Sequence, residues 1–145
     1  MLASSATKLL DANVWLALAF SNHIHHAKAV TWFNGQAPDT CAFCRLSQMA
    51  LLRHVTNTKI MGASVQNQQQ AWQTFDAFIN DPRITYCDEP AGFEPAFRAF
   101  SSQPTPSHAL WSDSYLAAFA AHANLTLVTF DKGLRRFQVQ LEILS

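Results

Sequence analysis

The stretch LTLVTF, residues 125–130, is the clearest predicted β-strand of this chain and decides its fold. A long Ala-rich helix, predicted from an N-cap at Ser107 to about Ala123, leads into this strand, and Asp131 follows it directly. Elsewhere, short apolar runs also alternate with longer stretches of helical spacing. This alternation predicts an α/β fold, a three-layer α/β/α sandwich whose central sheet is mainly parallel.

The same alternation predicts four further strands and five further helices. The predicted strands are residues 8–10, 40–43, 83–87 and 139–144. The predicted helices are residues 13–20, 25–33, 46–55, 66–80 and 94–101. Open parallel sheets place their binding sites beyond the carboxyl ends of the strands. Residues that directly follow a predicted strand are therefore the first candidates for function.

The composition is that of one globular domain, residues 1–145. Hydrophobic residues make up 49% and charged residues 14% of the chain, which excludes disorder and a coiled coil. The 10 basic residues balance the 10 acidic ones, so a contact with nucleic acid would be a local patch. The longest apolar run, residues 14–20, is far shorter than the roughly 20 residues of a membrane span. We expect a cytoplasmic protein with no membrane contact and, from three cysteines, no disulfide framework.

The aromatic content is high for a chain with so few charges. It includes 11 Phe and 4 Trp residues. Two interpretations stay open: some of these rings form an apolar surface patch that binds a partner, or they pack into an unusually aromatic core.

Three aspartates stand at positions that a parallel sheet would bring together if the first predicted strand and the strand at 125–130 are neighbours. Asp11 follows the first predicted strand, Asp131 follows the strand at 125–130, and Asp113 lies early in the helix before that strand. Singly, they are explained as an N-cap, a turn residue and a complement to the helix dipole. Together, three such carboxylates would repel and raise one another's pKa. Oxygen ligands without a His or Cys cluster suit Mg²⁺ or Mn²⁺.

Three segments of the chain resemble the PIN-domain family, and more narrowly its VapC-type toxins. They are LLDANV at 9–14, WSDSYLAAFA at 111–120 and LVTFDKGL at 127–134. The resemblance covers nearly the whole chain and implies a single PIN-like domain. It also implies a divalent-metal-dependent endoribonuclease that a small cognate antitoxin of the VapB type holds inactive, and it suggests a homodimer.

The resemblance assigns roles to individual residues. Asp11, Asp113 and Asp131 would hold the metal, Mg²⁺ or Mn²⁺. Asn13 would lie behind the ligands, and Thr129 would hydrogen-bond a ligand or a water. If the enzyme is active, a metal-activated water hydrolyses the RNA phosphodiester without using the 2′-hydroxyl.

One position departs from the family pattern. The family usually has a Glu early in the helix after the second strand, where this chain has Gln48. The neutral amide is a poorer ligand for magnesium, although it can orient a water by hydrogen bonding. Asp88 or Glu89 is a less favoured replacement for the missing charge. A second interpretation therefore stays open: a PIN-like protein-binding module with an impaired metal site and little nuclease activity.

Other features carry weaker predictions. The basic side chains of Lys132, Arg135 and Arg136 are candidates for binding RNA phosphates, or else an ordinary solvated surface. The three histidines at positions 23, 25 and 26 are expected on the surface or in a loop. Cys41 and Cys44 have a redox-like spacing but fall on a predicted strand, which favours two small core residues.

Overall fold

The computed structural model describes residues 7–145, which form a five-stranded, entirely parallel sheet. The strand order across the sheet is β3-β2-β1-β4-β5. The strands are β1 (Lys8–Leu10), β2 (Cys41–Phe43), β3 (Ile84–Tyr86), β4 (Thr126–Thr129) and β5 (Leu141–Ile143). Each lies within the stretch that the apolar runs predict.

Seven α-helices in the described part of the chain connect or flank these strands. They are α1 (Ala12–Ala19), α2 (His26–Asn34), α3 (Arg45–Val55), α4 (Thr58–Met61), α5 (Gln68–Ile79), α6 (Glu94–Ser101) and α7 (Leu110–Ala123). Two short 3-10 helices follow α4 and β4, at Gly62–Ser64 and Lys132–Arg136. The fold is therefore the predicted α/β class.

The side chains of β1 show how the sheet separates two helix layers. Successive residues of a strand point to opposite faces. Leu9 packs in a fully buried cluster with Leu116 and Phe119 of α7, on one face. Leu10 packs with Trp15 of α1 and other residues on the opposite face. The helices thus cover both faces of the sheet, which confirms the three-layer sandwich.

The chain reverses its direction of travel across the sheet between β1 and β4. From β1 it proceeds outward through β2 to β3, and it then returns to place β4 and β5 on the other side of β1. In the β1–β4 pair, Leu10 lies opposite Val128. Ligands of open α/β sheets bind at such a reversal, beyond the carboxyl ends of the two strands.

Two local predictions are wrong. Helix α7 begins at Leu110 after an N-cap at Ala109, which makes no side-chain cap hydrogen bond, so Ser107 is not its cap. Its sequence lacks a local start signal, and packing of its buried side chains against the sheet holds it in place. Cys44 is not on a strand: it is the N-cap of α3, and its backbone amide donates to Ser47 Oγ at 3.0 Å.

The described cysteines are free thiols, and Cys41 and Cys44 are both fully buried. The prediction that these two are small core residues is therefore confirmed. Burial raises the pKa of Cys41 to about 11, which keeps this thiol protonated and unreactive at neutral pH.

The aromatic residues divide between the core and the surface. All the phenylalanines are buried or partly buried, whereas Trp72 and Trp111 are exposed, Trp111 to 60%. Ile24, at 87%, is the most exposed large aliphatic side chain among residues 7–145. Most of the rings therefore belong to an aromatic core, and the partner-binding patch stays a prediction. Of the helices in the region the structure describes, none has the length and apolar character to cross a membrane.

Replacing Trp15 tests the packing that joins α1 to the sheet. The Trp15 ring is fully buried and stacks on Phe43 at 3.7 Å between ring centroids. Its Nε1–H has no hydrogen-bond partner among the described residues. We expect Trp15→Ala to lower the free energy of unfolding by about 3–5 kcal/mol, measured by urea denaturation, because it leaves a cavity. Trp15→Phe, which sacrifices no hydrogen bond, should lose much less, and equal losses would contradict this packing role.

Candidate functional site

The candidate site lies at the carboxyl ends of β1 and β4. Asp11 directly follows β1, and its backbone amide donates to the Val128 carbonyl at 2.9 Å. Asp131 follows β4 after one intervening residue and caps the 3-10 helix Lys132–Arg136. Because β1 and β4 are neighbours, the two aspartates emerge at the same edge of the sheet.

Asp11 is held by three hydrogen bonds. The Ala12 amide donates to its Oδ1 at 2.7 Å, which makes Asp11 the N-cap of α1. The Thr129 hydroxyl donates to its Oδ2 at 2.8 Å, and the Asn13 side-chain amide does so at 3.4 Å. The cap role and a role in the site therefore coexist in one carboxylate.

Thr129 and Asn13 connect the two loops that carry the aspartates. Thr129 Oγ1 accepts from the Asp131 amide at 3.0 Å and from the Asn13 side-chain amide at 3.2 Å. Asn13 Oδ1 in turn accepts from the Phe130 amide at 3.2 Å. Thr129 is fully buried, so its hydroxyl is shielded from water. They hold the loop after β4 against the start of α1.

Asp113 and Asp131 have partners of their own. Asp113 lies in the first turn of α7, and its Oδ2 accepts from Arg136 Nη2 at 3.0 Å. Asp131 Oδ1 accepts from the Gly133 amide at 2.8 Å, a turn that Gly133 permits because a side chain there would crowd the carboxylate. Part of each carboxylate is thus already engaged within the protein.

The electrostatics of the three aspartates are coupled. Burial raises the pKa of Asp11, opposed mainly by the hydrogen bonds from Thr129 and Ala12, while the charges of Asp113 and Asp131 raise it further. Burial also raises the pKa of Asp113, Arg136 opposes this rise, and Asp131 adds to it. The three groups are therefore near enough to repel one another when ionised.

The donor set suits a hard divalent cation, but the side chains do not converge on one point. Within residues 7–145, no three His, Cys, Asp or Glu side chains are close enough to hold a metal ion as they stand. Three coupled carboxylates, two with raised pKa values, supply oxygen donors and a charge that a cation would neutralise. The residues fit such an ion in their chemistry, provided that Asp113 exchanges its bond to Arg136.

Gln48 lies in the first turn of α3 and is buried. Its Oε1 accepts from Arg45 Nη1 at 2.6 Å, and the Arg45 guanidinium lies 5.4 Å from the centre of the Tyr86 ring. Among the described hydrogen bonds, none joins Gln48 to the three aspartates. Residues three apart on a helix are neighbours, so the sequence spacing of Arg45 and Gln48 could have predicted this contact.

The remaining candidates lie around this centre. Glu89 is exposed and accepts from the Tyr115 hydroxyl at 2.9 Å, and Asp88 is exposed beside it. Lys132, Arg135 and Arg136 are exposed on the turn that follows Asp131.

The histidine segment approaches the site from the α1–α2 connection. The His25 ring stacks on Phe130 at 4.5 Å between centroids, and Phe130 immediately precedes Asp131. Ring spacing along the sequence gives no signal for this contact, because it joins residues that are distant in the chain. His23 is partly buried, and its pKa is lowered by that burial and by the two neighbouring histidines.

Comparison with known proteins identifies the relatives of this chain. Residues 8–140 match a family model described as the PIN domain. Ribonuclease VapC41 of Mycobacterium tuberculosis is 38% identical over 143 residues, which cover 94% of this chain and 98% of that protein.

Solved structures share the same fold. VapBC2 from Rickettsia felis, crystallised with a DNA fragment from its promoter, matches with a TM-score of 0.68 at 15% identity. The match covers 96% of this chain and 99% of that one. VapC20 of Mycobacterium tuberculosis, described as a sarcin–ricin loop cleaving toxin, matches with a TM-score of 0.67 at 12% identity over 91% of this chain and 97% of its own.

The raised pKa values predict how the stability of the metal-free protein depends on pH. The folded protein keeps a proton on Asp11 above pH 3.8, the ordinary pKa, where the unfolded chain releases it. Stability should therefore fall as the pH rises from about 4 through the folded-state pKa of Asp11. In EDTA, we expect Asp11→Asn to unfold at higher urea concentration than the parent at pH 7, with a smaller difference near pH 4.

The control for this experiment is Asp76→Asn, which removes an exposed carboxylate on α5. The urea concentration at which Asp76→Asn unfolds should differ little from that of the parent at both pH values. A stability gain for Asp11→Asn of the same size at pH 4 and pH 7 would contradict the proposed burial of an ionised carboxylate.

Proposed function

We propose that this chain, which belongs to the PIN-domain family and to its VapC ribonucleases, is a divalent-metal-dependent endoribonuclease toxin of a type II toxin–antitoxin system. The observation that carries the proposal is the partly buried Asp11 carboxylate, held by Thr129 and coupled in charge to Asp113 and Asp131. A structural N-cap alone does not require two further acidic residues at the same edge of the sheet.

We propose Asp11, Asp113 and Asp131 as the residues that hold Mg²⁺ or Mn²⁺. PIN-domain VapC nucleases are in general dependent on a divalent metal. When bound, such an ion lowers the pKa of a water molecule and offsets negative charge on the phosphate. The oxygen donors and the mutual repulsion of the three carboxylates support this assignment.

The protein's own groups orient this centre. Thr129 and Asn13 hold the Asp11 carboxylate by hydrogen bonds and so limit the directions in which it can accept further bonds. Arg45 occupies Gln48 Oε1, which leaves the two amide hydrogens of Gln48 as donors that can position the attacking water. Its neutral side chain adds no negative charge to repel the RNA.

Basic residues beside the site support RNA as the substrate. Lys132, Arg135 and Arg136 are exposed on the turn after Asp131, within a chain of zero formal net charge. Such a local cluster can bind backbone phosphates without attracting nucleic acid to the whole surface. The names of the relatives, ribonuclease VapC41 and the sarcin–ricin loop cleaving toxin VapC20, support the same substrate class.

We further propose that a VapB-type antitoxin neutralises the enzyme, that the enzyme forms a homodimer, and that it acts in the cytoplasm. The likeness to VapBC2 supports the antitoxin. Exposed apolar side chains, among them Ile24, Ile60 and Trp111, are available for a protein partner to cover.

A second candidate function is that of a protein-binding module with little nuclease activity. The observation that favours it is Gln48, which is neutral and whose oxygen is held by Arg45. The two candidates differ in whether manganese binds and whether RNA is then cut, so one experiment separates them.

The cleavage experiment compares the parent with Asp11→Asn on a panel of structured RNAs in Mn²⁺ and in EDTA. We expect the parent to cut RNA only with metal, and Asp11→Asn to lose more than about 99% of the rate because removing a metal-ligand charge weakens the site. The products should lack a 2′,3′-cyclic phosphate, since the 2′-hydroxyl takes no part. Denaturing gel electrophoresis and end-group analysis measure both results.

Asp76→Asn serves as the matched control and should cut at the parental rate. Cleavage by Asp11→Asn at the parental rate would contradict the active-site assignment. Manganese binding without cleavage of any RNA, or no binding at all, would favour the protein-binding module instead.

Placing a carboxylate at position 48 tests how the Gln at this position, where the family usually has a Glu, affects the affinity for the metal. We expect Gln48→Glu to bind Mn²⁺ about tenfold more tightly, because a nearby negative charge attracts the ion even when Arg45 offsets part of it. Isothermal titration calorimetry measures the dissociation constant. Gln73→Glu, on the exposed side of α5, adds the same charge elsewhere and should have little effect. An unchanged affinity for Gln48→Glu would place position 48 outside the range of the ion.

A further inference from the structure

Arg136 makes the sole described ion pair to a proposed metal ligand. Its Nη2 donates to Asp113 Oδ2 at 3.0 Å, and the two side chains are 51% and 28% exposed. The bond is single: in the region from residue 7 to residue 145, neither Nε nor Nη1 of Arg136 has a hydrogen-bond partner. The guanidinium therefore keeps donors that other acceptors can use.

Arg136 also lines a cavity of about 280 Å³, together with the polar residues Gln103, Thr105 and Ser107. Its guanidinium lies 5.0 Å from the centre of the Phe137 ring, which forms part of the same wall. Arg136 thus bonds to Asp113 of the acidic centre and also lines a cavity of mixed polar and apolar character, to which Leu110 contributes as well.

A divalent cation and a phosphate would act on Arg136 in opposite ways. A divalent cation on Asp113 would repel the guanidinium, because both are positive and would share one carboxylate. A phosphate in or beside the cavity would attract it, and phosphate accepts well from the planar fork of an arginine. Arg136 is near enough to both Asp113 and the cavity to bond to the carboxylate or to a phosphate bound in the cavity.

We infer that Arg136 is a positioning residue that exchanges partners. It neutralises Asp113 while the metal and RNA are absent, and it moves to a backbone phosphate at the cavity when the cation takes its place. The inference rests on the proposed function, since it requires a divalent cation and an RNA strand at this site. It accounts for the lack of a preformed three-ligand cluster in the described chain: the Asp113 carboxylate is directed to an internal counterion.

The test measures two affinities of Arg136→Ala, which the inference predicts to change in opposite directions. Binding of Mn²⁺ alone, measured by calorimetry, should tighten about two- to fivefold, since loss of an exposed ion pair frees Asp113. Binding of a fluorescent single-stranded RNA with cleavage-resistant phosphorothioate linkages, measured by anisotropy at saturating Mn²⁺, should weaken about three- to tenfold, because Arg136 contacts the phosphate once the cation is on Asp113. The slope of log affinity against log salt should become shallower by about 0.7, the value for one phosphate contact on a single strand.

Arg135→Ala is the matched control. Arg135 is exposed on the same turn, and its replacement removes the same charge. It should leave the Mn²⁺ affinity much closer to that of the parent than Arg136→Ala does. Equal tightening by the two variants, or no tightening by Arg136→Ala, would overturn the exchange. An unchanged RNA affinity for Arg136→Ala would also overturn it.

The same titration distinguishes this inference from the proposed function. If the parent binds Mn²⁺ and cuts RNA while Arg136→Ala behaves as the parent in both titrations, the exchange fails and the nuclease stands. If neither protein binds Mn²⁺, the proposed metal site fails and the exchange fails with it. Thermal melting of both variants confirms that the comparison is made between folded proteins.

Discussion

The hydrogen bond from the buried Thr129 hydroxyl to the Asp11 carboxylate is the interaction on which the site depends. It joins the ends of the neighbouring strands β1 and β4, at 2.8 Å, where the chain reverses its course across the sheet. The same hydroxyl accepts from the Asp131 amide, so a single side chain sets the positions of two acidic residues. Burial shields the Thr129 hydroxyl from water, and it also disfavours the ionised form of the Asp11 carboxylate. The fold thus holds a charge that a bound cation would stabilise.

Two arginines bond to other groups near this edge of the sheet. Arg136 pairs with Asp113, while Arg45 bonds to the neutral Gln48 where the family pattern has a Glu. Both arginines come from segments at the carboxyl edge of the sheet, the turn after β4 and the start of α3. With equal numbers of acidic and basic residues overall, the chain shows no general attraction for RNA. Under the proposed function, recognition of a substrate depends on which partners these few arginines hold.

Most of the fold follows from local patterns. Strands with continuous apolar residues belong to a sheet covered on both faces, and their alternation with amphipathic helices leaves a parallel sandwich as the favoured solution. The boundaries of α6 agree with prediction because Pro95 favours the first turn of a helix. The start of α7 does not, because no cap residue marks it: Ala109 is followed by a helix that tertiary packing stabilises. Ser107 has the chemistry of a cap but lies beyond the reach of that first turn.

The primary structure alone points to three aspartates, Asp11, Asp113 and Asp131, and to the order of the elements that carry them. Each aspartate stands beside a strand or early in a helix. Their proximity was a conditional prediction that required β1 and β4 to be neighbours, which strand pairing decided. Folding alone decided the direction of each carboxylate: Asp11 toward Thr129 and Asp113 toward Arg136. Those contacts span 118 and 23 residues of chain, and no local propensity reports on groups so far apart. Packing, which depends on the whole molecule at once, is what selects them.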